Sequence, residues 1–347
     1  MVRKGSSVRI RLEAYNVSAV ETLFTVIDDS AILLKNELSI PYLEALILTG
    51  ENLFYETIEQ TVKEETKKRL QTLYSKVDIE QYAQEDVRKA MQLAILKGMK
   101  EAIQPHHEMT PDAVSLFMAY LVAKWIKDKQ TIRILDPVVG TGNLLTAILN
   151  GLPKHVKASA YGVEADETLL KLAYVNANLQ RHSIELFHGD AIRPLFIDPV
   201  DVIVADLPVG YYPNDDIAKD YELRMTSGHS YIHHLLIEQS VRYAKEGAVL
   251  LFLIPNHLFD RDAEKLHTYI HEHTYIQGLL ELPRTMFKKE MHAKSIFMLQ
   301  KKGNGSKKSK EVLIGSLPSF NNKQALSNII AKIDAWFQYM HYEQSGH

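Results

Sequence analysis

The segment Thr131–Leu145, TIRILDPVVGTGNLL, constrains the fold of this 347-residue chain more than any other stretch. Its first residues are largely apolar, which is typical of a strand buried on both faces of a parallel sheet. The chain then turns through Asp136–Pro137 and Gly140–Gly142 and continues in a helical pattern. A strand, a glycine turn and a helix N-terminus direct backbone N–H groups at one ligand. The segment therefore predicts an α/β fold with a ligand site at this turn.

The same geometry can serve a dinucleotide, so other residues must decide between ligands. In the pyrophosphate fingerprint G-x-G-x-x-G, a third glycine stands three positions after the second. That position holds Leu145 here, and the Asp136–Pro137 pair before the loop is not part of the fingerprint. The sequence therefore disfavours a dinucleotide.

The stretch DPVVGTGNLL resembles the first motif of the class I S-adenosylmethionine-dependent methyltransferases. Its DPxxGTGxLL form is similar to that of the adenine-N6 DNA methylases, in particular the modification subunits of type I restriction-modification systems. The resemblance covers about residues 105–302. It implies S-adenosyl-L-methionine as cofactor and a doubly wound, mostly parallel, Rossmann-like seven-stranded α/β sheet in the order 3-2-1-4-5-7-6, with a reversed last strand.

Residues 1–105 are expected to form a helical N-terminal domain, and residues 106–347 the methyltransferase domain. Apolar residues at helical spacing recur on a charged background between Val87 and Gly98, and no strand-rich block is present. The break between the two domains is placed at Gln104–His107.

Thr110–Pro111 precedes a long amphipathic pattern, with Thr110 expected as N-cap and Pro111 as the first helical residue. This segment resembles the TPxxV-type motif that lies over the methionine end of the cofactor in adenine methylases. Residues 311–318 are expected to form an edge strand, and residues 324–342 a final amphipathic helix.

Two acidic residues follow the second and third predicted strands. Glu164 can accept hydrogen bonds from both ribose hydroxyls, although dehydrogenases use the same device. At the position of Asp190 the family has an acceptor for the adenine amino group, although His188–Asp190 also fits a simple tight turn. The residues that the resemblance assigns to cofactor binding are Met109, Thr110, Asp136, Pro137, Gly140, Thr141, Gly142, Asn143, Leu144, Glu164, Ala165, Asp190, Ala191 and Asp206.

The fourth predicted strand delivers the sequence DLPV to the carboxyl edge of the sheet, where α/β proteins bind ligands. This position corresponds to the (N/D/S)PP(Y/F) motif of amino-methyltransferases. An exocyclic amine is a poor nucleophile because its lone pair is conjugated with the ring. A side-chain oxygen and a backbone carbonyl can hold its two N–H bonds and stabilise charge developing on the nitrogen. The residues expected to be catalytic are Asp206, Leu207, Pro208 and Val209.

Two positions of DLPV depart from the family motif. Leu207 replaces the first proline, but its backbone carbonyl is still available as an acceptor. Val209 replaces the aromatic residue that stacks on the flipped base in the family. Tyr211 or Tyr212, slightly further along, is the expected substitute for that stacking contact.

Composition limits the partners that this chain can have. The formal net charge is −3 and cysteine is absent, so no global basic field draws the chain to DNA and no thiol chemistry is possible. The absence of cysteine also fits a cytoplasmic protein. The longest apolar run, residues 248–255, is too short to span a bilayer. His267 and His271 lie one helical turn apart without an HExxH pattern, so no metal is expected.

Three functions remain open from the sequence. The first is an adenine-N6 DNA methyltransferase that binds DNA weakly alone and needs a specificity subunit or another protein partner. The second is a methyltransferase acting on RNA, protein or a small molecule. The third is a cofactor-binding scaffold with a degraded DLPV site.

Overall fold

Four helices open the computed structural model, which describes residues 16–102, 109–260, 263–306 and 308–345. The Asn16 side chain caps the first helix by accepting from the N–H groups of Ser18 and Ala19. Apolar residues on its inner face, such as Leu23 and Ile27, are fully buried. The helices are α1 Val17–Leu38, α2 Tyr42–Tyr55, α3 Glu64–Tyr74 and α4 Gln84–Ala102.

Eight strands form one sheet in the order β3-β2-β1-β4-β5-β7-β6-β8. Strand β7 is antiparallel to both of its neighbours, and the other pairings are parallel. The α/β class, the predicted strand order and the reversed strand are confirmed, and the edge strand extends the order by one. The strands are β1 Thr131–Asp136, β2 Lys157–Glu164, β3 Ile184–His188, β4 Val200–Asp206, β5 Ala244–Pro255, β6 Thr274–Glu281, β7 Lys294–Lys301 and β8 Leu313–Ser316.

Helices cover both faces of this sheet because its central strands are apolar on both sides. In β5, Leu251 packs into one core cluster while the adjacent Leu250 and Phe252 pack into the other. Each such burial stabilises the fold by about 1.5–3 kcal/mol. The helices are α5 Asp112–Trp125, α6 Asn143–Gly151, α7 Glu167–Leu179, α8 Asp215–Ala218, α9 Ile232–Tyr243, α10 Ala263–His273 and α11 Lys323–Ser345.

The N-terminal helices pack directly on the sheet domain through α7. Leu172, Val175 and Leu179 of α7 belong to the same buried cluster as the cores of α1, α2 and α4. At Gly50 of α2, an added Cβ would lie 2.0 Å from Cγ1 of Val175, so only glycine permits this approach. The predicted break at Gln104–His107 falls entirely outside the described ranges, so the boundary between residues 105 and 106 stays a prediction.

Within the described ranges, no helix is both long enough and apolar enough to cross a bilayer.

Candidate active site

Three parallel strands end in carboxylates at the same edge of the sheet: β1 in Asp136, β2 in Glu164 and β4 in Asp206. Asp136 is buried, and its Oδ1 accepts from the N–H of Val138 at 3.1 Å. Burial raises the pKa of Asp136 to about 8, against the opposing effect of that hydrogen bond and with a smaller contribution from the charges of Glu164 and Asp206. Glu164 and Asp206 therefore supply the negative charge of this edge, which favours a cationic ligand.

The glycine loop lies above this edge. Gly140 and Gly142 have φ angles of 54° and 76°, in the left-handed region that other residues enter only with strain. A Cβ added at Gly142 would lie 3.3 Å from the backbone of Ala173 in α7. A Cβ added at Gly140 would meet no atom of the described residues within 4 Å, so this backbone faces open space. The loop has the shape of a ligand cradle.

Glu164 joins the glycine loop to the start of α7. One carboxylate oxygen accepts from the N–H of Gly140 at 2.9 Å, and the other accepts from the N–H groups of Ala165 and Asp166, each at 2.9 Å. A carboxylate offers about four lone-pair sites, so at least one stays available to a ligand hydroxyl.

Asp190 and Tyr212 form a second polar contact near this edge. The Tyr212 hydroxyl donates to Oδ2 of Asp190 at 2.5 Å, and Oδ1 of Asp190 accepts from the N–H of Ile192 at 2.9 Å. The tyrosine is only 3% exposed, and burial raises the pKa of its hydroxyl. Tyr212 thus faces inward, toward the residue expected to contact adenine.

Tyr211 has the opposite placement. It is 57% exposed, and its ring stacks on that of Tyr231 with centroids 5.0 Å apart and an interplanar angle of 24°. Val209 is also exposed, at 54%. Of the two predicted aromatic substitutes, Tyr211 is therefore the one whose side chain reaches the surface.

Both oxygens of Asp206 are engaged by neighbouring side chains. Lys294 Nζ donates to Oδ1 at 2.6 Å, and the Thr110 hydroxyl donates to Oδ2 at 2.9 Å. The predicted N-cap role of Thr110 and the predicted first helical position of Pro111 are wrong: α5 begins at Asp112, and Pro111 is its N-cap residue without a side-chain cap. The physical reason is the contact with Asp206, which holds the hydroxyl away from the N–H groups of the helix.

The other residues of DLPV take different positions. Leu207 is fully buried in the core cluster beneath the site, and its N–H donates to the Leu253 carbonyl at 3.0 Å, which prolongs the β4–β5 ladder. Met109, expected beside the cofactor, packs against the core of the N-terminal helices.

Sequence reasoning missed His233 and Lys294. The ring of His233 is 5% exposed and donates a hydrogen bond to the carbonyl of Pro208, while its Nδ1 has no partner among the described residues. Burial, assisted by His234 and His257, lowers the pKa of His233 to about 3. Lys294 is the first residue of β7, but only the fold brings its side chain to a carboxylate 88 positions away.

A cavity in the N-terminal part of the molecule lies apart from this edge. A cavity of about 700 Å³ lies between α2, α3 and the end of α7, and its lining includes none of the predicted site residues. The described part of the chain holds no group of three or more His, Cys, Asp or Glu side chains that could bind a metal ion.

The sheet order, the reversed strand and the glycine loop after β1 define the class I S-adenosylmethionine-dependent methyltransferase fold. The chain belongs to the N-6 DNA methylase family, whose model matches residues 100–343. A second family model, the YtxK N-terminal helical domain, matches residues 21–99.

Three individual proteins are similar to this chain. "Uncharacterized protein YtxK" of Bacillus subtilis (strain 168) is 47% identical over 322 residues, covering 92% of this chain and 98% of its own. A Listeria monocytogenes crystal structure, described as a "putative class I S-adenosylmethionine-dependent methyltransferase", is 44% identical with a TM-score of 0.87, covering 93% of this chain and all of its own. A type I restriction-modification methyltransferase subunit from Streptococcus thermophilus is 14% identical with a TM-score of 0.63, covering 93% and 75%, and shows similarity of fold.

Proposed function

We propose that this chain transfers the methyl group of S-adenosylmethionine to the exocyclic amine of adenine in DNA, with Asp206 as the principal acceptor. The observation that carries the proposal is the placement of Asp206. It ends β4 beside the glycine loop, and two donors fix it in one orientation. Membership of the N-6 DNA methylase family supports the reaction type.

The chemistry of the edge fits this cofactor. S-adenosylmethionine carries a sulfonium and an ammonium group and supplies an electrophilic methyl group. Glu164 and Asp206 provide complementary negative charge, and the open backbone at Gly140 leaves room for close approach. Glu164 would hold the ribose and Asp190 the adenine amino group.

Asp206 keeps acceptor capacity for a substrate. Lys294 and Thr110 each occupy one lone pair, so each carboxylate oxygen retains another. One of these would accept an N–H of the target amine, and the Leu207 carbonyl would accept the second. Because the two donors orient the carboxylate in advance, little reorganisation is needed when charge develops on the nitrogen.

The aromatic pair formed by Tyr211 and Tyr231 would receive the target base. Tyr211 already stacks on Tyr231, so its ring is held in a defined plane at the surface. Base–aromatic stacking contributes about 1–3 kcal/mol per base, enough to offset part of the cost of flipping a base out of a duplex. We assign to Tyr211 the role that the family gives to the residue at the position of Val209.

One observation favours a second candidate function. Val209 is exposed where the adenine methylases have an aromatic ring, so a base would have no direct stacking partner at that position. An acceptor amine in RNA, a protein or a small molecule would need no such ring. Only the methylated product distinguishes these acceptors.

Transfer of tritiated methyl groups to unmethylated genomic DNA, RNA and a protein extract in parallel, followed by nucleoside and amino-acid analysis, tests both candidates. We expect N6-methyladenine from DNA. Label recovered only in RNA or protein would show that this fraction, and not DNA, contains the substrate. No transfer to any fraction, with cofactor binding intact, would contradict the enzymatic proposal.

A further inference from the structure

Arg88 of α4 is a charged residue buried far from solvent. Its side chain is 0% exposed and donates four hydrogen bonds. Nε and Nη2 donate to the two carboxylate oxygens of Glu85 at 2.8 and 2.5 Å, and Nη2 also donates to Asp112 at 2.6 Å. The remaining arm, Nη1, donates to Oδ1 of Asn143 at 2.7 Å.

These partners lie on three different elements. Glu85 is on α4 itself, Asp112 is the first residue of α5, and Asn143 is the first residue of α6, directly after the glycine loop. A guanidinium is planar and presents its donors in a fixed fork, so it can hold several partners in one geometry. Two carboxylates neutralise the buried charge, so the contact to Asn143 serves position and not charge balance.

The contacts continue from Asn143 toward Asp206. The Asn143 amide donates to the Thr110 carbonyl across a longer distance of 3.4 Å. The Thr110 hydroxyl in turn donates to Asp206 at 2.9 Å. Arg88 therefore holds both segments that frame the site, namely the end of the glycine loop and residues 110–112.

A second brace supports the loop from the other side. The Asn176 amide of α7 donates to the Thr141 carbonyl at 3.1 Å. This brace belongs to the sheet domain, whereas Arg88 comes from the N-terminal helices. Removing Arg88 would thus free one side of the loop and leave the other held.

We propose that Arg88 is a positioning residue through which α4 sets the affinity of the glycine loop for the cofactor. The inference rests on the proposed function, because it takes S-adenosylmethionine as the ligand of the loop. It adds that the N-terminal helices contribute to the cofactor site through a defined side chain.

The test measures S-adenosylhomocysteine binding by calorimetry to the full chain and to Arg88→Lys, Asn143→Ala and the double variant. Arg88→Lys keeps the buried positive charge for Glu85 and Asp112 but lacks the fork that reaches Asn143. We expect affinity to fall about tenfold in each single variant, within the range usual for coupled sites. In the double variant we expect little further decrease, because both substitutions break the same hydrogen bond.

Lys97→Met is the matched control. Lys97 lies on the same helix and binds Asp28 of α1 at 2.6 Å, with no contact to the loop. We expect it to lower thermal stability without changing S-adenosylhomocysteine affinity, which separates positioning from a general decrease in stability. If Arg88→Lys does not fold by circular dichroism, Asn143→Ala still removes the contact while leaving Arg88 paired with both carboxylates.

Three outcomes would overturn the inference. Unchanged affinity in folded Arg88→Lys, or in folded Asn143→Ala, would show that the contact does not support the loop. Additive decreases in the double variant would show that Asn143 acts independently of Arg88. A wild-type chain that does not bind S-adenosylhomocysteine would refute the proposed function itself, a result distinct from the other two.

Discussion

Asp136 links the protonation of the site to the stability of the fold. Its pKa rises from 3.8 to about 8 on folding, so the folded state keeps a proton that the unfolded state releases. The stability that this proton contributes is complete below pH 4 and is lost as the pH rises through 8. Stability should therefore fall with pH across this window.

We expect Asp136→Asn to flatten this pH dependence. The amide is neutral at every pH and its oxygen can still accept from Val138. At pH 9 the variant should exceed the wild type in free energy of unfolding by at least about 1.4 kcal/mol, the value of one pKa unit. Urea unfolding at pH 4, 7 and 9 measures the difference. If the free energy of unfolding changes with pH in the same way in both proteins, Asp136 is ionised in the folded state.

Asp206 is expected to act in catalysis and not in cofactor binding. Asp206→Ala should lower methyl transfer at least about tenfold, since removing a charged acceptor from a closed site costs on the order of 1.4 kcal/mol or more. S-adenosylhomocysteine affinity should change little. The matched control is Asp198→Ala, which removes a mostly exposed carboxylate paired with Arg133 near the other end of the sheet. Normal turnover by folded Asp206→Ala would remove the assignment.

The element formed by β2, the glycine loop and α7 depends on Glu164. The carboxylate holds three backbone N–H groups, and Glu164→Gln would turn an NH₂ toward at least one of these donors. We expect S-adenosylhomocysteine binding to weaken about tenfold, because hydrogen bonds to charged groups contribute about 1.5–3 kcal/mol. Glu167→Gln, an exposed change on α7, is the control. Tight NAD binding by the wild type, with no response to S-adenosylhomocysteine, would contradict the choice of cofactor.

Elements were predictable where their signals are local. The apolar pattern of Thr131–Leu145 and the turns between the strands fix the sheet, so its order follows from the sequence and the resemblance. Contacts between distant positions were not predictable. The local sequence around Thr110 is typical of an N-cap, but its hydroxyl donates a hydrogen bond to Asp206, 96 positions away. Arg88 likewise looks like one charge on a solvated helix, and only the fold buries it.

At the scale of the whole molecule, the helical N-terminal domain and the sheet domain share a core. Gly50 lies against Val175 of α7, and the hydroxyls of Tyr55 and Tyr174 are 2.9 Å apart. A protein that docks on the N-terminal helices would therefore contact elements that also support the glycine loop. This arrangement provides a physical route by which a specificity partner could act on the site.

The net charge of the whole chain determines the expected affinity for DNA. With a net charge of −3, attraction must come from a local patch such as the exposed Lys288 and Lys289 in the turn before β7. We therefore predict that the chain alone binds duplex DNA weakly and without sequence preference.

Gel-shift titrations with varied duplexes at several salt concentrations measure this. We expect micromolar or weaker binding. The slope of the logarithm of the binding constant against the logarithm of the salt concentration should decrease in magnitude by about two when Lys288 and Lys289 are both changed to glutamine. The reason is that each lysine that neutralises a phosphate adds about one to this slope. Lys67→Gln with Lys68→Gln, on α3 of the N-terminal helices, is the matched control and should leave the slope unchanged. Sub-nanomolar, sequence-selective binding by the purified chain would show that it reads DNA without a partner.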